Sequence, residues 1–239
     1  MDLGYENVIT ATREQLDLSD PMAVNYSFRA NRPDVVFLAA GTEGRILANS
    51  ANPANFIYDT MMIHATVIDE AWKHEVEKLL YLGSRCIYTR DCAPPITEQM
   101  LLTGPLEPAN EAYAIAKIAG TKLCQSHNER YGADFISAMP INLYGPNNNF
   151  DLQNSHVLPA LIPKCHNAKQ SAVTTVPYLV DRLGYARFLH VDDLADACVH
   201  LMNHYSDSQH INVGTGEDAA VNGLAEVERD LVYPQAALE

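Results

Sequence analysis

The chain has 239 residues, of which 47% are hydrophobic and 19% are charged, so it can bury a substantial core. Its formal net charge of −14 argues against general binding to nucleic acid or anionic membranes, since both favour basic surfaces. Five scattered cysteines without a C-x-x-C pair argue against a disulfide framework and a zinc site. Neither a signal peptide nor an apolar run of roughly 18 residues is visible. We therefore expect a soluble cytoplasmic protein.

Short apolar runs alternate along the chain with longer segments of helical periodicity. In chain order, the pattern predicts a strand at 7–12, a helix at 21–32, a strand at 34–40, a helix at 54–76, a strand at 78–84, a helix at 111–131 closed by Gly132, a strand at 134–140, helices at 155–168 and 191–205, a strand at 210–216 and a helix at 221–231. Residues 169–186 are the least regular. This alternation predicts an α/β fold with a doubly wound parallel sheet.

Ligands of such a sheet bind beyond the carboxyl ends of its strands. Residues 41–46, 84–88, 140–146 and 214–216 follow predicted strands, and we expect the functional site among them.

Tyr113 and Lys117 are separated by one helical turn, so the phenol and the ammonium lie on the same face of the predicted helix. A nearby positive charge lowers the pKa of a phenol because it favours the phenolate, which suits hydride-transfer chemistry. The spacing alone is equally compatible with a catalytic pair and with an ordinary pair on the surface of a helix. Ser84 ends the preceding strand, and its hydroxyl could polarise a substrate carbonyl together with Tyr113.

Other side chains near the predicted strand ends have both a structural and a functional interpretation. Cys86 is either a small core residue or a thiolate base. His156 is either structural or a general acid or base. Asn142 could bond a ligand through its amide or simply end a strand.

Thr12 and Arg13 follow the first predicted strand, with Asp17 and Leu18 shortly after them. In dinucleotide-binding folds, residues here meet the adenosine ribose, where arginine suits the 2′-phosphate of NADP and an acidic residue suits a free hydroxyl. Arg13 favours NADP over NAD, although a solvated surface arginine explains it equally well.

Several segments together are similar to the GDP-L-fucose synthases, a family of nucleotide-sugar enzymes within the extended short-chain dehydrogenases/reductases. The resemblance extends from about Val8 to about Gly216, and its most specific segments are GSRCIYT, EAYAIAKIAG, NLYGPNNNF and SHVLPAL. Family members convert GDP-4-keto-6-deoxy-D-mannose to GDP-L-fucose by epimerising C3 and C5 and then reducing C4 with NADPH. The resemblance therefore implies this activity, an NADP cofactor and a GDP-sugar substrate.

The resemblance also implies roles for single residues. The catalytic residues would be Cys86 and His156 as base and acid of epimerisation, Ser84 and Tyr113 at the ketone oxygen, and Lys117 at the nicotinamide ribose. The NADP contacts would be Thr12, Arg13, Asp17, Leu18, Leu38, Ala39, Ala40, Tyr113, Lys117, Pro140, Asn142 and His156. The sugar nucleotide would contact Ser84, Asn142, Lys164 and Arg187. Helices 54–76 and 111–131 would form the four-helix interface of a homodimer.

The chain departs from the family pattern at several points. Family members begin with a strand and a Gly-x-x-Gly-x-x-Gly turn that binds the pyrophosphate, and we expect this glycine-rich βα unit to be missing. Residues 1–150 would then form an incomplete NADP-binding domain. Residues 151–239 would form a partial substrate-binding region, of which about 188–216 would return to the first domain. Arg45 stands where the family has glycine. Two alternatives stay open: a degenerate, non-catalytic relative, and an epimerase or dehydratase for another NDP-sugar.

Overall fold

Strands and helices alternate in the computed structural model, which describes residues 5–41, 53–150, 157–176, 185–216 and 219–238. The helices are α1 (Pro21–Asn31), α2 (Pro53–Lys73), α3 (Glu111–Tyr131), α4 (Val157–Gln170), α5 (Val191–His204) and α6 (Val221–Val232). The strands are β1 (Val35–Leu38), β2 (Lys78–Leu82), β3 (Phe135–Pro140), β4 (Asn142–Tyr144), β5 (Thr175–Val176), β6 (Tyr185–Ala186), β7 (Phe188–His190), β8 (Ile211–Val213), β9 (Ala219–Ala220) and β10 (Ala237–Leu238). Three short 3₁₀ helices cover Arg85–Ile87, Glu98–Met100 and Pro108–Asn110.

The central sheet has four parallel strands in the order β1-β2-β3-β8. Its middle strands are continuous apolar runs because helices cover both of their faces. Leu79 and Tyr81 of β2 pack against α1, α2 and α3. Leu80, between them, points to the other face and packs with Leu194 and Leu201 of α5. This two-sided packing confirms the predicted doubly wound parallel fold.

The helix ends follow from the sequence. Asp20 caps α1 by accepting hydrogen bonds from the N–H groups of Met22 and Ala23, which have no partner within the helix. Gly132 closes α3 in the left-handed conformation with φ of 68°, and its N–H donates to the Asn128 carbonyl. The predicted glycine cap is therefore confirmed.

The strand predicted at 7–12 is wrong. These residues are exposed and form no strand, and the backbone then turns, with the N–H groups of Gln15 and Leu16 donating to the Thr12 carbonyl. A strand needs a neighbour that satisfies its backbone hydrogen bonds, and no strand among the described residues pairs with this segment. The apolar pattern of a segment does not reveal whether such a neighbour is present.

A smaller group of elements lies outside the central sheet. Helices α4 and α6 pack together, and β5 pairs with β10 in parallel around Cys165, Val176 and Ala236. Two further short pairs join β4 to β7 and β6 to β9. Residues 169–186, predicted as irregular, contain the short strands β5 and β6. Across the described part of the chain, the helices are too short or too polar to cross a bilayer.

Candidate active site

Lys117 joins helix α3 to the carboxyl end of β2. Lys117 is almost fully buried, and its ammonium donates a hydrogen bond of 2.7 Å to the carbonyl of Leu82, the last residue of the strand. Nζ lies 5.6 Å from the centroid of the Tyr113 ring, on the same face of the helix. Tyr113 is itself 7% exposed. The sequence prediction that these two groups meet beside the end of a strand is therefore supported by the geometry.

Ser84 follows β2 by two residues and caps the 3₁₀ helix Arg85–Ile87. Its hydroxyl accepts a weak hydrogen bond of 3.4 Å from the Cys86 N–H, and Cys86 is half-buried. This 3₁₀ helix packs against α3. Serine, cysteine and tyrosine are thus carried by two elements in direct contact, at the edge where ligands of parallel sheets bind.

A buried network that the sequence did not reveal connects β1, β2 and the middle of α2. Nε2 of His64 lies 3.2 Å from the Ala40 carbonyl oxygen, and Nδ1 lies 3.0 Å from the Tyr81 hydroxyl. Burial and, to a smaller extent, the Lys117 charge together lower the pKa of His64 to about 3. The imidazole is therefore neutral. A histidine within an apolar helix face, one of nine in the chain, gives no signal of this arrangement.

Gly41 follows Ala40 and lies against this network. A Cβ built at Gly41 would lie 3.5 Å from His64 Nε2 and 3.8 Å from Lys117 Nζ. The missing side chain allows a ligand to approach the backbone there, next to a fixed positive charge. Both features fit the ribose and phosphate groups of a dinucleotide such as NADP, and Lys117 and the backbone of Ala40 and Gly41 would hold it.

A second set of predicted residues lies around the carboxyl end of β3. Pro140 ends this strand and is paired in register with Val213 of β8. Asn142 begins β4 and pairs in register with Phe188, the residue after Arg187. Asn142 and Arg187 are both half-buried. Arg187 therefore directly precedes the strand that pairs with β4, and the role of both residues as substrate contacts stays a prediction.

The remaining predicted residues are dispersed. Thr12 and Arg13 are exposed, and Asp17 accepts hydrogen bonds from Ser19, which hold the pKa of its carboxyl below the usual value. Leu18 packs against the core, Leu38 is buried, Ala39 is exposed and Ala40 is half-buried. Lys164 is on α4, which packs with α6 and β5. His156 and Arg45 lie outside the described residues.

A parallel sheet with a tyrosine–lysine pair and a glycine at its carboxyl edge is typical of dinucleotide-dependent enzymes of the short-chain dehydrogenase/reductase class. Residues 1–214 match the model of the NAD dependent epimerase/dehydratase family, and the chain belongs to this family.

Individual relatives are consistent with this assignment. The chain is 48% identical to a probable GDP-L-fucose synthase 1 of Oryza sativa subsp. japonica over 239 residues, which is 100% of this chain and 73% of that protein. A GDP-L-fucose synthetase from Naegleria fowleri bound to NADP superposes with a TM-score of 0.87 at 25% identity, covering 96% of this chain and 71% of that one. A GDP-D-glycero-L-gluco-heptose synthase from Campylobacter jejuni, solved in the presence of NADPH, gives 0.90 at 32% identity and covers 98% and 80%. The resemblance inferred from the sequence motifs is confirmed.

Proposed function

We propose that the chain is an NADP-dependent epimerase/reductase that converts GDP-4-keto-6-deoxy-D-mannose to GDP-L-fucose. The observation that carries the proposal is the hydrogen bond of Lys117 to the Leu82 carbonyl beside Tyr113, in a chain 48% identical to a probable GDP-L-fucose synthase. NADPH, when bound, supplies the hydride that reduces C4. The protein's own residues supply the proton transfers and hold the sugar.

Epimerisation uses the acidity that the C4 ketone gives to its two neighbouring carbons. Cys86 removes the proton from C3 or C5 as a thiolate, and the negative charge moves to the ketone oxygen. Hydrogen bonds from Ser84 and Tyr113 to that oxygen stabilise the charge. His156, which lies outside the described residues, returns a proton to the opposite face of the carbon.

Reduction of C4 requires a proton for the resulting alkoxide. Tyr113 gives this proton from its hydroxyl, and the adjacent Lys117 ammonium stabilises the phenolate that remains. Asn142, Lys164 and Arg187 contact the GDP-sugar in this proposal. Arg13 and its neighbours Thr12, Asp17 and Leu18 contact the adenosine end of NADP.

The direct test is to mix the purified chain with NADPH and the 4-keto sugar nucleotide and to follow NADPH absorbance and the product. We expect NADPH oxidation and GDP-L-fucose. Well-folded protein that oxidises no NADPH would remove the proposed activity. Calorimetric titration with NADPH then distinguishes an active enzyme from a non-catalytic relative, because a relative that has lost the cofactor site shows no micromolar binding.

Substitutions separate the two half-reactions. Tyr113→Phe should slow C4 reduction by about 10²–10⁴-fold, since a general acid typically contributes this much. Tyr131→Phe, on the exposed end of the same helix, is the matched control and should react normally.

Cys86→Ser should abolish deuterium uptake at C3 and C5 in heavy water without NADPH, whereas Cys92→Ser should retain it. Equal uptake by the two cysteine variants would exclude Cys86 as the base.

A second candidate substrate follows from the Campylobacter jejuni relative, which is named as a GDP-heptose synthase and superposes with a TM-score of 0.90. The same residues would reduce a 4-keto heptose attached to GDP. A panel of GDP-4-keto sugars with product identification distinguishes the candidates. Faster turnover of the heptose would favour this alternative.

The assembly proposed for the chain is a homodimer through α2 and α3. Exposed apolar side chains on these helices support it: Tyr58, Met61, Ile115 and Tyr131. The double variant Met61→Arg/Ile115→Arg places two charges in the proposed interface, and it should sediment as a monomer in analytical ultracentrifugation. Met22→Arg, at an exposed apolar residue of α1, is the control and should leave the dimer intact. A wild-type chain that sediments as a monomer contradicts this part of the proposal.

A cytoplasmic location is also proposed. Its support is that all five cysteines are free, which suits a reducing compartment. The net charge of −14 further disfavours nucleic acid or an anionic membrane as a partner. Cell fractionation tests the location, and enrichment in a membrane pellet contradicts it.

A further inference from the structure

His64 is a buried polar residue next to the candidate site. It lies in the middle of α2, is 1% exposed, and packs edge-on against the Tyr81 ring with 4.8 Å between ring centroids. The hydrogen-bond partners at measured distances are the Ala40 carbonyl at Nε2 and the Tyr81 hydroxyl at Nδ1, and the backbone of Ala116 also interacts with the ring. The imidazole therefore links the backbone just after β1 to the Tyr81 side chain of β2.

The partners of His64 determine its tautomer. A carbonyl oxygen only accepts hydrogen bonds, so Nε2 must carry the proton that is donated to Ala40. In a neutral imidazole, Nδ1 is then an acceptor, and the Tyr81 hydroxyl must donate to it. The Lys117 carbonyl lies farther from that hydroxyl, at 3.3 Å, and it already accepts from Thr121 at 3.0 Å. With the proton on Nε2, the hydrogen bonds to Ala40 and from Tyr81 form together.

This arrangement orients the peptide between Ala40 and Gly41, whose backbone lies beside Lys117 in the candidate cofactor site. The peptide between Ala40 and Gly41 is planar, so fixing the Ala40 carbonyl also fixes the direction of the Gly41 N–H. We propose that His64 is a positioning residue: as the Nε2–H tautomer it holds the Ala40–Gly41 peptide in the orientation that receives NADP beside Lys117. The inference rests on the proposed use of NADP, and it adds a residue of the helix core to the cofactor site.

The chemistry of imidazole explains why a neutral bridge is needed here. The titratable groups that face His64 among the described residues are Tyr81 on β2 and Lys117 on α3. A protonated ring would place a second positive charge beside the Lys117 ammonium, and both nitrogens would become donors. Tyr81 could then no longer donate to Nδ1. Burial and the Lys117 charge, which lower the pKa of His64 to about 3, keep the bridge intact throughout the neutral range.

The first test uses the unmodified protein without cofactor. Nitrogen-15 chemical shifts of the His64 ring, recorded between pH 5 and pH 8 by long-range proton correlation, report both tautomer and charge. We expect one neutral form with the proton on Nε2 at every pH. An Nδ1–H tautomer, or titration near the ordinary histidine value of about 6.5, overturns the inference.

The second test compares two substitutions by direct NADPH titration. His64→Met fills a similar volume but cannot donate, and it should weaken NADPH binding about tenfold through the loss of one buried hydrogen bond. His64→Gln offers an amide N–H for Ala40 and an amide oxygen for Tyr81, and it should bind within about threefold of wild type. Turnover at saturating NADPH should change little in either folded variant, because His64 does not contact the reacting atoms.

The outcomes discriminate clearly. Unchanged affinity in His64→Met, or equal losses in both variants, overturns the inference, since neither result depends on the hydrogen bond. If His64→Met does not fold, the tautomer measured on wild type and the affinity of His64→Gln decide. Wild-type protein that binds NADPH but turns over no sugar contradicts the proposed function alone. Wild-type protein that binds no NADPH contradicts both.

Discussion

Lys117 combines structural and chemical roles in one ammonium group. Its hydrogen bond to the Leu82 carbonyl satisfies an acceptor at the end of β2, and the same charge lies next to the Tyr113 ring. Buried lysines are unusual unless they are paired, so both contacts explain its almost complete burial. Removing the charge should therefore affect stability and cofactor binding together.

Lys117→Met tests this coupling. The Leu82 carbonyl would lose its donor, which typically lowers the free energy of unfolding by about 1–3 kcal/mol, and NADPH affinity should also fall. Lys122→Met is the matched control because Lys122 lies on the same helix, is exposed and contacts Gln125. Denaturant titration and NADPH titration measure the two effects. A stable Lys117→Met variant would show that the hydrogen bond is energetically neutral.

Glu228 on α6 differs from Lys117, because it is a half-buried residue with one buried carboxylate oxygen that has no hydrogen-bond partner among the described residues. Within the described chain, its Oε2 has no hydrogen-bond partner, and burial raises the pKa of the group from 4.5 to about 7. Because the pKa is higher in the folded state, the folded protein binds the Glu228 proton more tightly than the unfolded chain does. The contribution of this proton to the free energy of unfolding is fully present below pH 4.5 and is lost as the pH rises through about 7. The group should therefore destabilise the fold in mildly alkaline solution.

Glu228→Gln should accordingly raise the free energy of unfolding at pH 8 by about 1–2 kcal/mol, a value reduced for partial solvent screening, and leave it nearly unchanged at pH 4. Glu226→Gln, at an exposed position of the same helix, should have little effect at either pH. Denaturant curves at both pH values provide the measurement. Equal stabilisation by the two variants would contradict the role of burial.

At the scale of elements, α3 lies close to β2 because Gly120 has no side chain. A Cβ at this position would lie 2.5 Å from the Cζ and hydroxyl oxygen of Tyr81. Tyr81 is fully buried and bonded to His64, so it has no room to move aside. The glycine thus sets the distance between the helix that carries Tyr113 and the strand that precedes Ser84.

Gly120→Ala should destabilise the chain by about 1–3 kcal/mol, the usual effect of overpacking, and should weaken NADPH binding through the displaced Tyr81. Gly223→Ala is the control, because Gly223 lies in α6 and, apart from its own helix turn, no described atom lies within 4 Å of its Cβ position. There, alanine should stabilise the helix by about 0.5–1 kcal/mol. Thermal unfolding of both variants provides the comparison. Destabilisation by both would indicate a general effect of alanine rather than this contact.

The sequence predicts elements better than it predicts their contacts. Strands β1, β2 and β3 follow from continuous apolar runs, and α3 follows from its periodicity and glycine cap. The strand at 7–12 has the same local pattern and does not form, since pairing depends on a neighbour distant in sequence. Similarly, Tyr113 and Lys117 are recognisable from one helical turn. His64 and Tyr81 are 17 positions apart, and their contact exists only after α2 packs on β2.

At the scale of the whole molecule, the net charge of −14 opposes the approach of NADPH, which is itself anionic. The repulsion acts over a Debye length of about 30 Å at 0.01 M salt but only about 8 Å at 0.15 M. Association should therefore become several-fold faster between these concentrations. Dissociation should change less, since the buried Lys117 is poorly screened. Stopped-flow fluorescence measures both rates. Slower association in salt would mean that local positive charge at the site dominates.

The hydrogen bond between Lys117 and Leu82 also has a consequence for the protein inside a cell. If the ammonium that fastens α3 to the sheet also holds the ribose, a bound cofactor resists the separation of helix and sheet. Ligand present at one hundred times its dissociation constant adds about 2.7 kcal/mol to the free energy of unfolding. We therefore expect NADPH to protect the chain from proteolysis. The amount of enzyme that survives in a cell would then follow the supply of its reductant.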